Sequence, residues 1–541
     1  YYYYYYYYYY YYYYYYYWSA FIDNLDSSLL SCIELWAYRE DVVSDCLMKW
    51  YNNVLNDVKI VIARLKKVPK KHKRMVLKSK TIKQCLEKLH HNFVFVPTDK
   101  ASNNIAVVCK KFYIEKSMKE LGIFSDVCHD GKEADAKTYE MVDKDVKSIV
   151  DRHMRYMKSN SIATEIPEYL PFLYWIPKMH KKPFSKQRYI AASHRCSTKP
   201  LSAILTKCLS LIEKEHRTIC HRYENNHGIN PMWIIRNSSS VHKQIATLNR
   251  KKGCNNIRTY DFSTLYTSIP HKQLKSRLKC VIQGAFKSSN REFISVYNTR
   301  AGWTDKPRKN TLALDCRKVI RLLNWLIDNI FVTFGDKIFR QKVGIPMGTD
   351  CAPFLANLFL YSYEYEWIDK QRLMKNHHLL KCFKNCGRYI DDLFLVNNFD
   401  QMKKYMSDIY PKELELVPDG FDGMTVPFLD LLLSIKDGVI SSSIFDKRDA
   451  YDFPIVNFPI LSGNIPALSS YGVFAGEAVR YARACTYFDD FKTRMLILVK
   501  KLKKQFFTSR LLTRTWLKFC DSHIFLIQKY GPTILDLHNE W

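Results

Sequence analysis

The sequence has no long apolar run and no regular cysteine framework. Its most apolar stretch, around residues 358–361, is interrupted by polar groups, whereas a membrane-spanning helix needs about 18 or more apolar residues. The 16 cysteines are scattered, and no apolar segment with a cleavage site opens the chain. We therefore expect reduced thiols, an intracellular protein and no membrane partner.

Acidic residues are scarce relative to basic ones. The chain has 53 Asp and Glu against 83 Lys and Arg, a formal net charge of +30 that is spread from Lys59 to the C-terminal region. A basic surface of this size attracts phosphate backbones and releases the counterions condensed on them. The composition favours a nucleic acid as partner, and a generally soluble basic surface is the plainer alternative.

The first 90 residues contain three segments of different character, and no internal repeat is visible anywhere in the chain. Residues 1–17 are an unbroken tyrosine run, which is either a placeholder for unidentified residues or a low-complexity tail. From residue 18 to about 67, apolar residues recur at helical spacing. Basic residues then crowd positions 66–83, where the run at 69–74 is a nuclear-localisation signal, an RNA-contacting strip or only a solvated face.

The rest of the chain alternates strand and helix patterns. Residues 92–113 predict a hairpin around a polar turn, and a charged helical segment follows to about residue 160. Strand-like residues that carry cations occupy 171–191, and helical spacing returns between 198 and 248. Short strands then alternate with longer helices to about residue 437, and the region from residue 471 is helical and basic. This mixture predicts an α+β protein.

The sharpest chemical signal is the acidic pair in Tyr389-Ile390-Asp391-Asp392. Apolar residues on both sides predict a strand, a tight turn and a second strand. Two adjacent carboxylates at one exposed point are tolerated when a cation neutralises them. Taken alone, however, an Asp-Asp pair is more often ordinary turn chemistry.

A third carboxylate, Asp261, ends another predicted strand, 130 residues before Asp391. That separation allows a helical excursion and a return to an adjacent strand, so that Asp261, Asp391 and Asp392 converge at one end of a sheet. Such a cluster can hold two Mg²⁺ ions about 3.5–4 Å apart, with Mn²⁺ as a substitute, for phosphoryl transfer to a 3′-hydroxyl.

A glycine-containing loop lies between the acidic strands. Residues 341–353 include Gly344 and Gly348, which let the backbone approach a substrate closely, and an apolar helix is predicted from 354 to about 365. A plain Gly-Pro turn before a helix is the alternative, and it loses weight because the loop lies between two acidic strand ends.

In this chain order, Asp261 with Tyr266, the loop and the acidic turn resemble the palm motifs of reverse transcriptases. Residues 260–271 and 344–349 are most similar to Penelope-like retroelement reverse transcriptases, relatives of telomerase. The resemblance extends to Asp99-Lys100 and covers roughly residues 92–520. It implies a right-hand polymerase made of a helical basic N-terminal region (18–90), fingers with part of the palm (91–255), the palm (256–437), and the thumb with C-terminal helices (438–541).

The resemblance also implies roles for single residues. Asp261 and Asp391 would ligate both catalytic metals with support from Asp392, and Tyr266 would be the steric gate against a 2′-hydroxyl. Arg188 would neutralise the triphosphate, with Lys178 as a weaker candidate. The implied substrate-binding set is Tyr266, Arg188, Lys178, Met347, Gly348 and Phe262, and the implied metal-binding set is Asp261, Phe262, Asp391 and Asp392. Met347 stands where many retroviral enzymes have glutamine, and a thioether cannot donate a hydrogen bond.

Two further segments have an implied role in holding nucleic acid. Residues 428–430 resemble the primer grip, although the side chains of Phe428 and Leu431 are better explained as core. The helices after residue 471 resemble a thumb that follows the duplex backbone. The cations of this predicted thumb are Arg480, Arg483, Lys492, Arg494, Lys500, Lys501, Lys503 and Lys504.

One group of metal-ligand residue types falls outside the polymerase pattern. His377, His378, Cys382 and Cys386 lie within ten residues, and the last three are predicted to line one helix face. Structural zinc sites normally take their ligands from two separated arms, so an ordinary connection is the favoured interpretation and zinc the alternative.

The resemblance implies an RNA-directed DNA polymerase that extends a DNA 3′ end by target-primed synthesis. Its partners would be an RNA template, a DNA primer or target DNA, dNTPs and the element's own RNA, in the nucleus after cytoplasmic synthesis. A viral-type RNA polymerase, which usually has Gly-Asp-Asp at the turn, and a non-catalytic nucleic-acid-binding protein are the alternatives. No GIY-YIG endonuclease or RNase H motif is recognisable, which leaves open an endonuclease-free type, a truncated chain or a subunit.

Overall fold

The computed structural model describes residues 80–123, 138–180, 186–308, 311–418 and 423–541, the last range without 452, 454, 456 and 464. Before residue 80 it describes only positions 49, 52, 53, 56, 57 and 60, all helical. The tyrosine run, the N-terminal helical prediction beyond those positions and the basic run at 69–74 therefore lie outside the described residues. The chain divides into two units, residues 1–89 and 90–541. No helix in the described ranges is long and apolar enough to cross a membrane.

The elements up to the first acidic strand alternate strands with helices of very different length. In chain order they are α1 (Lys80–Asn92), β1 (Phe93–Thr98), β2 (Ala101–Cys109), α2 (Lys110–Glu120), β3 (Tyr139–Val142), α3 (Val146–Ser159), β4 (Phe172–Pro177), β5 (Gln187–Ala192), α4 (Lys199–His227), α5 (Ser238–Asn249) and β6 (Ile257–Phe262).

The central part of the chain carries the long buried helix and the acidic hairpin. Its elements are α6 (Leu265–Ser268), α7 (His271–Ser289), β7 (Phe293–Val296), β8 (Ala301–Thr304), β9 (Leu312–Asp315), α8 (Cys316–Asp328), β10 (Phe331–Phe334), β11 (Lys337–Gln341), α9 (Ala352–Leu373), α10 (His377–Cys382), β12 (Cys386–Tyr389), β13 (Asp392–Val396), α11 (Gln401–Ile409) and β14 (Leu416–Pro418).

The C-terminal part is a small sheet followed by helices. Its elements are β15 (Thr425–Phe428), β16 (Leu431–Lys436), β17 (Val439–Ile444), α12 (Ala467–Ser470), α13 (Gly472–Ala484), α14 (Phe488–Lys503), α15 (Ser509–Ser522) and α16 (Ile524–Ile527), with 3₁₀ turns at Lys447–Ala450, Gln528–Tyr530 and Pro532–Glu540.

The described strands form five sheets, so the protein is a mixture of helices and strands. Their strand orders are β1-β2, β3-β11-β10-β4-β5, β12-β13-β6-β14, β15-β16-β17 and β8-β7-β9. Neighbouring strands are antiparallel except β4 and β10, which are parallel. The order of the four-stranded sheet places β13 next to β6, although the elements from α6 to β12 lie between them in the chain.

Four hydrophobic clusters lie among the described residues, and the two largest carry most of the core. The larger one gathers α4, α7, α8 and α9 beneath the four-stranded sheet, and the second packs the β15-β16-β17 sheet against α13, α14 and α15. Helix α9 is apolar around most of its circumference, as a helix surrounded by core on several sides must be.

Most predicted elements agree with the structure. The hairpin at 92–113 is confirmed, with a turn of only two residues, Asp99 and Lys100, between its strands. The β4-β5 pair and the helices after residue 471 are also confirmed. The helical prediction up to residue 160 is wrong at β3, a four-residue strand that pairs with the distant β11. The β8-β7-β9 sheet was not predicted, because its strands are too short for a clear alternation.

Candidate active site

The predicted carboxylates lie at one end of the four-stranded sheet. Strands β6 and β13 are antiparallel neighbours in which Asp261 and Asp392 are direct partners. Partner residues in such a pair have Cα atoms about 4.5–5.5 Å apart. Asp391 occupies the turn between β12 and β13, and its carbonyl accepts a hydrogen bond from the Phe262 amide at 3.1 Å. The fold therefore brings the three predicted aspartates together although 130 residues separate them in sequence.

The turn that carries Asp391 is strained. Tyr389 and Asp392 pair across it, so Ile390 and Asp391 alone form the connection. Ile390 has a φ of 57°, in the left-handed region that β-branched residues rarely adopt. Such a conformation costs about 1–3 kcal/mol and persists only where the surroundings impose it.

Phe262 contributes to this end of the sheet through its backbone. Its side chain is buried and meets Tyr410 edge to face, with ring centroids 4.9 Å apart. Its amide donates to the Asp391 carbonyl. Only the main chain of Phe262 is therefore available to a metal or nucleotide, which narrows the predicted role of this residue.

Tyr266 lies beside the acidic turn on the short helix α6. Burial raises the pKa of its hydroxyl, and the negative charge of Asp391 raises it further. The Tyr266 carbonyl accepts a hydrogen bond from Ile345 at 2.6 Å, so the glycine-containing loop packs directly on its backbone. The predicted gate, the predicted metal ligand and the loop are thus neighbours.

The two glycines of the loop are required by close backbone contacts. Gly344 has a φ of 85°, and a Cβ there would overlap the carbonyl oxygen of Tyr266. Gly348 has a φ of 122°, and a Cβ there would overlap the carbonyl oxygen of Ala191 on β5. The Ala191 amide also bonds the carbonyl of Met347 at 2.9 Å. The loop therefore joins the strand pair β4-β5 to the Tyr266 side of the site. The helix after it, α9, begins earlier and ends later than predicted.

Arg188 lies on β5, in a different sheet from the carboxylates. Its Nη1 atom is 3.3 Å from Oδ1 of Asp99, a buried residue in the turn of the β1-β2 hairpin. The other carboxylate oxygen of Asp99 is buried and has no hydrogen-bond partner among the described residues. Lys178, at the end of β4, donates its amide to the Lys186 carbonyl at 2.9 Å, and residues 181–185 between them lie outside the described ranges. The Asp99-Lys100 turn, to which the resemblance extends, thus contacts Arg188.

The carboxylates suit Mg²⁺ by their chemistry. Among the described residues, no three His, Cys, Asp or Glu side chains are gathered closely enough to hold a metal by themselves. Mg²⁺ is commonly bound by one or two carboxylates and completes its octahedron with substrate phosphates and water. Asp261 and Asp392 on paired positions, with Asp391 adjacent, supply such a donor set.

The argument against zinc relied on a helix that is shorter than expected. Helix α10 ends at Cys382, and Cys386 already belongs to β12, so the prediction of one shared helix face is wrong. The chain leaves the helix because β12 must pair with β13. Burial raises the pKa of both thiols, which disfavours the thiolate form that binds zinc.

The predicted primer grip and thumb are built largely of residues that contact other parts of the protein. Phe428 and Leu431 are buried in the second core, as predicted, and Asp430 in the turn between them accepts from Arg480 at 3.1 Å. Four predicted thumb cations form ion pairs within the chain: Arg480, Lys492, Arg494 and Lys501. Lys500, Lys503 and Lys504 line an open groove beside Trp541. They are the stronger candidates for phosphate contacts.

Comparison with solved structures shows the fold. The chain is similar to telomerase from Candida albicans in complex with the TWJ fragment of telomeric RNA, at 12% identity and a TM-score of 0.55, over 85% of this chain and 72% of that one. Telomerase from Candida tropicalis with the TWJ fragment matches at 13% identity and a TM-score of 0.44, over 82% and 62%. The genome and RNA polymerase complex of a dsRNA virus matches at 10% and 0.34, over 74% and 32%.

At these identities the likeness establishes a polymerase fold and nothing finer. No protein-family model and no curated protein matches the chain.

Proposed function

We propose that this protein is an RNA-directed DNA polymerase of a Penelope-like retroelement, which extends a DNA 3′ end by target-primed synthesis. The observation that carries the proposal is the convergence of Asp261, Asp391 and Asp392 at one sheet end, with Tyr266 beside them. The polymerase fold is consistent with it.

The carboxylates have a defined task in this proposal. Asp261 and Asp391 hold two Mg²⁺ ions, or Mn²⁺ in their place, with Asp392 and the Phe262 carbonyl in support. When bound, the ions supply charge stabilisation to the attacking 3′-oxygen and the leaving pyrophosphate. The protein contributes position, because the strand pair fixes two carboxylates before any substrate arrives.

The remaining residues select and orient the nucleotide. The half-buried ring of Tyr266 occupies the space that a 2′-hydroxyl would need, so dNTPs are preferred over rNTPs. Arg188 neutralises the triphosphate, with Lys178 just after the end of the adjoining strand β4. Met347 and Gly348 form the backbone surface against which the sugar or base packs.

The proposed partners follow from charge and fold. The net charge of +30 favours a polyanion, and the Candida albicans telomerase was solved with RNA. We include an RNA template, a DNA primer or target and the element's own RNA among the partners. Because a chromosomal DNA end is the proposed primer, we place the reaction in the nucleus, after synthesis of the protein in the cytoplasm.

A primed-template assay tests the proposal. Purified protein is incubated with Mg²⁺ and a labelled DNA primer annealed to RNA, and receives either dNTPs or rNTPs. We expect extension with dNTPs that requires the RNA template. Extension with rNTPs alone would indicate an RNA polymerase, and binding without extension would indicate a non-catalytic protein.

A further inference from the structure

Arg388 is a fully buried charge immediately before the acidic turn. Its guanidinium donates to both carboxylate oxygens of Glu364, at 2.6 and 3.1 Å, and neither side chain is exposed to solvent. It also donates to the side-chain and main-chain oxygens of Asn357, at 2.8 and 3.1 Å. A fifth bond, at 3.0 Å, goes to the carbonyl of Ile390. All five N–H donors of the guanidinium are thereby used.

The fifth bond matters because of where it lies. The Ile390 carbonyl belongs to the peptide that leads into Asp391, and Ile390 is the strained residue of the turn. A bond to that oxygen fixes the orientation of the peptide plane, and so the direction in which the Asp391 side chain leaves the backbone.

The other end of the network is anchored in helix α9. Glu364 and Asn357 both lie on this helix, which follows the glycine-containing loop. The hydroxyl of Tyr410 donates to Glu364 at 2.9 Å and supports it from a third direction. Burial would lower the pKa of Arg388, but the Glu364 carboxylate more than offsets this, so the pKa is raised and the charge is retained.

We infer that Arg388, held by Glu364, Asn357 and Tyr410, is a positioning residue that sets the geometry of Asp391 for metal binding. This deepens the proposed function and rests on it. A buried ion pair that served stability alone would have no need of the bond to the strained turn.

The test uses the full chain and two matched pairs of variants. Arg388→Lys keeps the charge but loses the planar fork that reaches Ile390, Asn357 and Glu364 together. Its control is Arg448→Lys, since Arg448 also donates to both oxygens of a mostly buried carboxylate, that of Asp446, at 2.8 Å. The contact between Arg448 and Asp446 does not involve the acidic turn.

The second pair removes one buried hydroxyl and is gentle enough to preserve folding. Tyr410→Phe breaks the support of Glu364. Tyr361→Phe removes an equally buried hydroxyl from α9 that contacts His216 and Cys220 instead.

Three readouts separate positioning from stability: amide hydrogen exchange in residues 389–392, Mn²⁺ binding, and kcat against the KM for dNTP. For Arg388→Lys we expect faster exchange in the turn, together with losses of about 10- to 100-fold in Mn²⁺ affinity and in kcat, while KM and template affinity stay near wild type. Tyr410→Phe should change in the same direction by less, and both controls should match the wild type.

The inference is overturned if Arg388→Lys folds and matches Arg448→Lys in all three readouts, or if Tyr410→Phe and Tyr361→Phe are indistinguishable. These failures differ from a failure of the proposed function. If the wild type makes no DNA but the network variants still alter exchange and Mn²⁺ binding, the positioning role stands and the proposed reaction is wrong. If the wild type is active, Asp391→Asn is inactive and the network variants behave like the wild type, only the positioning inference is wrong and the proposed reaction stands.

Discussion

The acidic turn and the Arg188 side chain are held in contrasting ways. The turn is fixed by a fully buried arginine whose five donors are all bonded. Arg188 has 35% of its side chain exposed and makes one ion pair, to an aspartate that is 4% exposed and has one oxygen without a partner among the described residues. The core thus fixes the acidic turn, whereas among the described residues the Arg188 side chain is held by a single ion pair.

This contrast has a physical rationale in the proposed reaction. Metal ligands are effective when they are placed before the substrate arrives, since no reorganisation is then needed during catalysis. A cation that follows the triphosphate from binding to release needs some freedom.

The largest effect is expected from the carboxylates themselves. Asp391→Asn or Asp261→Asn should lower primer extension by on the order of 10³-fold or more, because several kcal/mol of metal-dependent stabilisation are lost at about 1.4 kcal/mol per factor of ten. Template affinity should remain, since these groups hold metal rather than phosphates. Extension and template binding are measured on the same preparations, with Asp336→Asn on an exposed turn as the control. If either variant still extends the primer, the substituted aspartate is not part of the catalytic site.

Breaking the buried pair should cost more stability than breaking a surface pair. Glu364→Ala leaves Arg388 buried without its counter-charge and should lower the free energy of unfolding by about 3–5 kcal/mol. Asp430→Ala, which breaks the partly exposed pair with Arg480, should cost about 0–1 kcal/mol. Denaturant unfolding of both variants compares the losses. Equal losses would contradict the claim that the acidic turn is specially supported.

The sugar gate comes next. Tyr266→Val should raise rNTP incorporation relative to dNTP by about one to three orders of magnitude, because removing the ring opens space beneath the sugar. Tyr266→Phe keeps the ring and should leave the ratio unchanged. Single-nucleotide incorporation of matched dNTP and rNTP gives both ratios. If Tyr266→Val keeps the wild-type ratio, Tyr266 is a core residue and has no part in selection.

The smallest effects belong to the Arg188 end. Arg188→Ala should raise the KM for dNTP by about tenfold, the value of one lost charge-assisted contact of about 1.5 kcal/mol. Asp99→Asn, which only loosens the arginine, should raise it less. The double variant should be no worse than Arg188→Ala if Asp99 acts through Arg188. If the two substitutions raise the steady-state KM for dNTP additively, Asp99 acts independently of Arg188.

The sequence predicted the local parts of the site well. The Asp391-Asp392 turn could be predicted because a hairpin is encoded by neighbouring residues. Gly344 and Gly348 were singled out for close approach to a substrate, whereas in the structure each glycine lies against another backbone segment of the protein. The sequence predicted that Asp261 and Asp392 converge at one end of a sheet, but not that they are direct partners, because strand register depends on the whole sheet.

The supporting contacts could not be predicted in the same way. Arg388 meets partners on α9 that lie 24 and 31 positions earlier in the chain. Nothing in the spacing indicates which arginine is drawn into the core. The only sequence feature that pointed to a buried Arg388 was its position beside an apolar strand. The predicted thumb cations show the same limit, because Asp430, one of the two partners of Arg480, and Asp449, the partner of Arg494, come from separate elements.

The central claim, templated DNA synthesis from RNA, is tested most directly by sequencing the product. Wild-type protein extends a DNA primer on an RNA of mixed sequence with Mg²⁺ and all four dNTPs, beside Asp391→Asn. We predict DNA complementary to the RNA from the wild type and none from the variant. A product unrelated to the template, or an identical product from Asp391→Asn, would contradict the account.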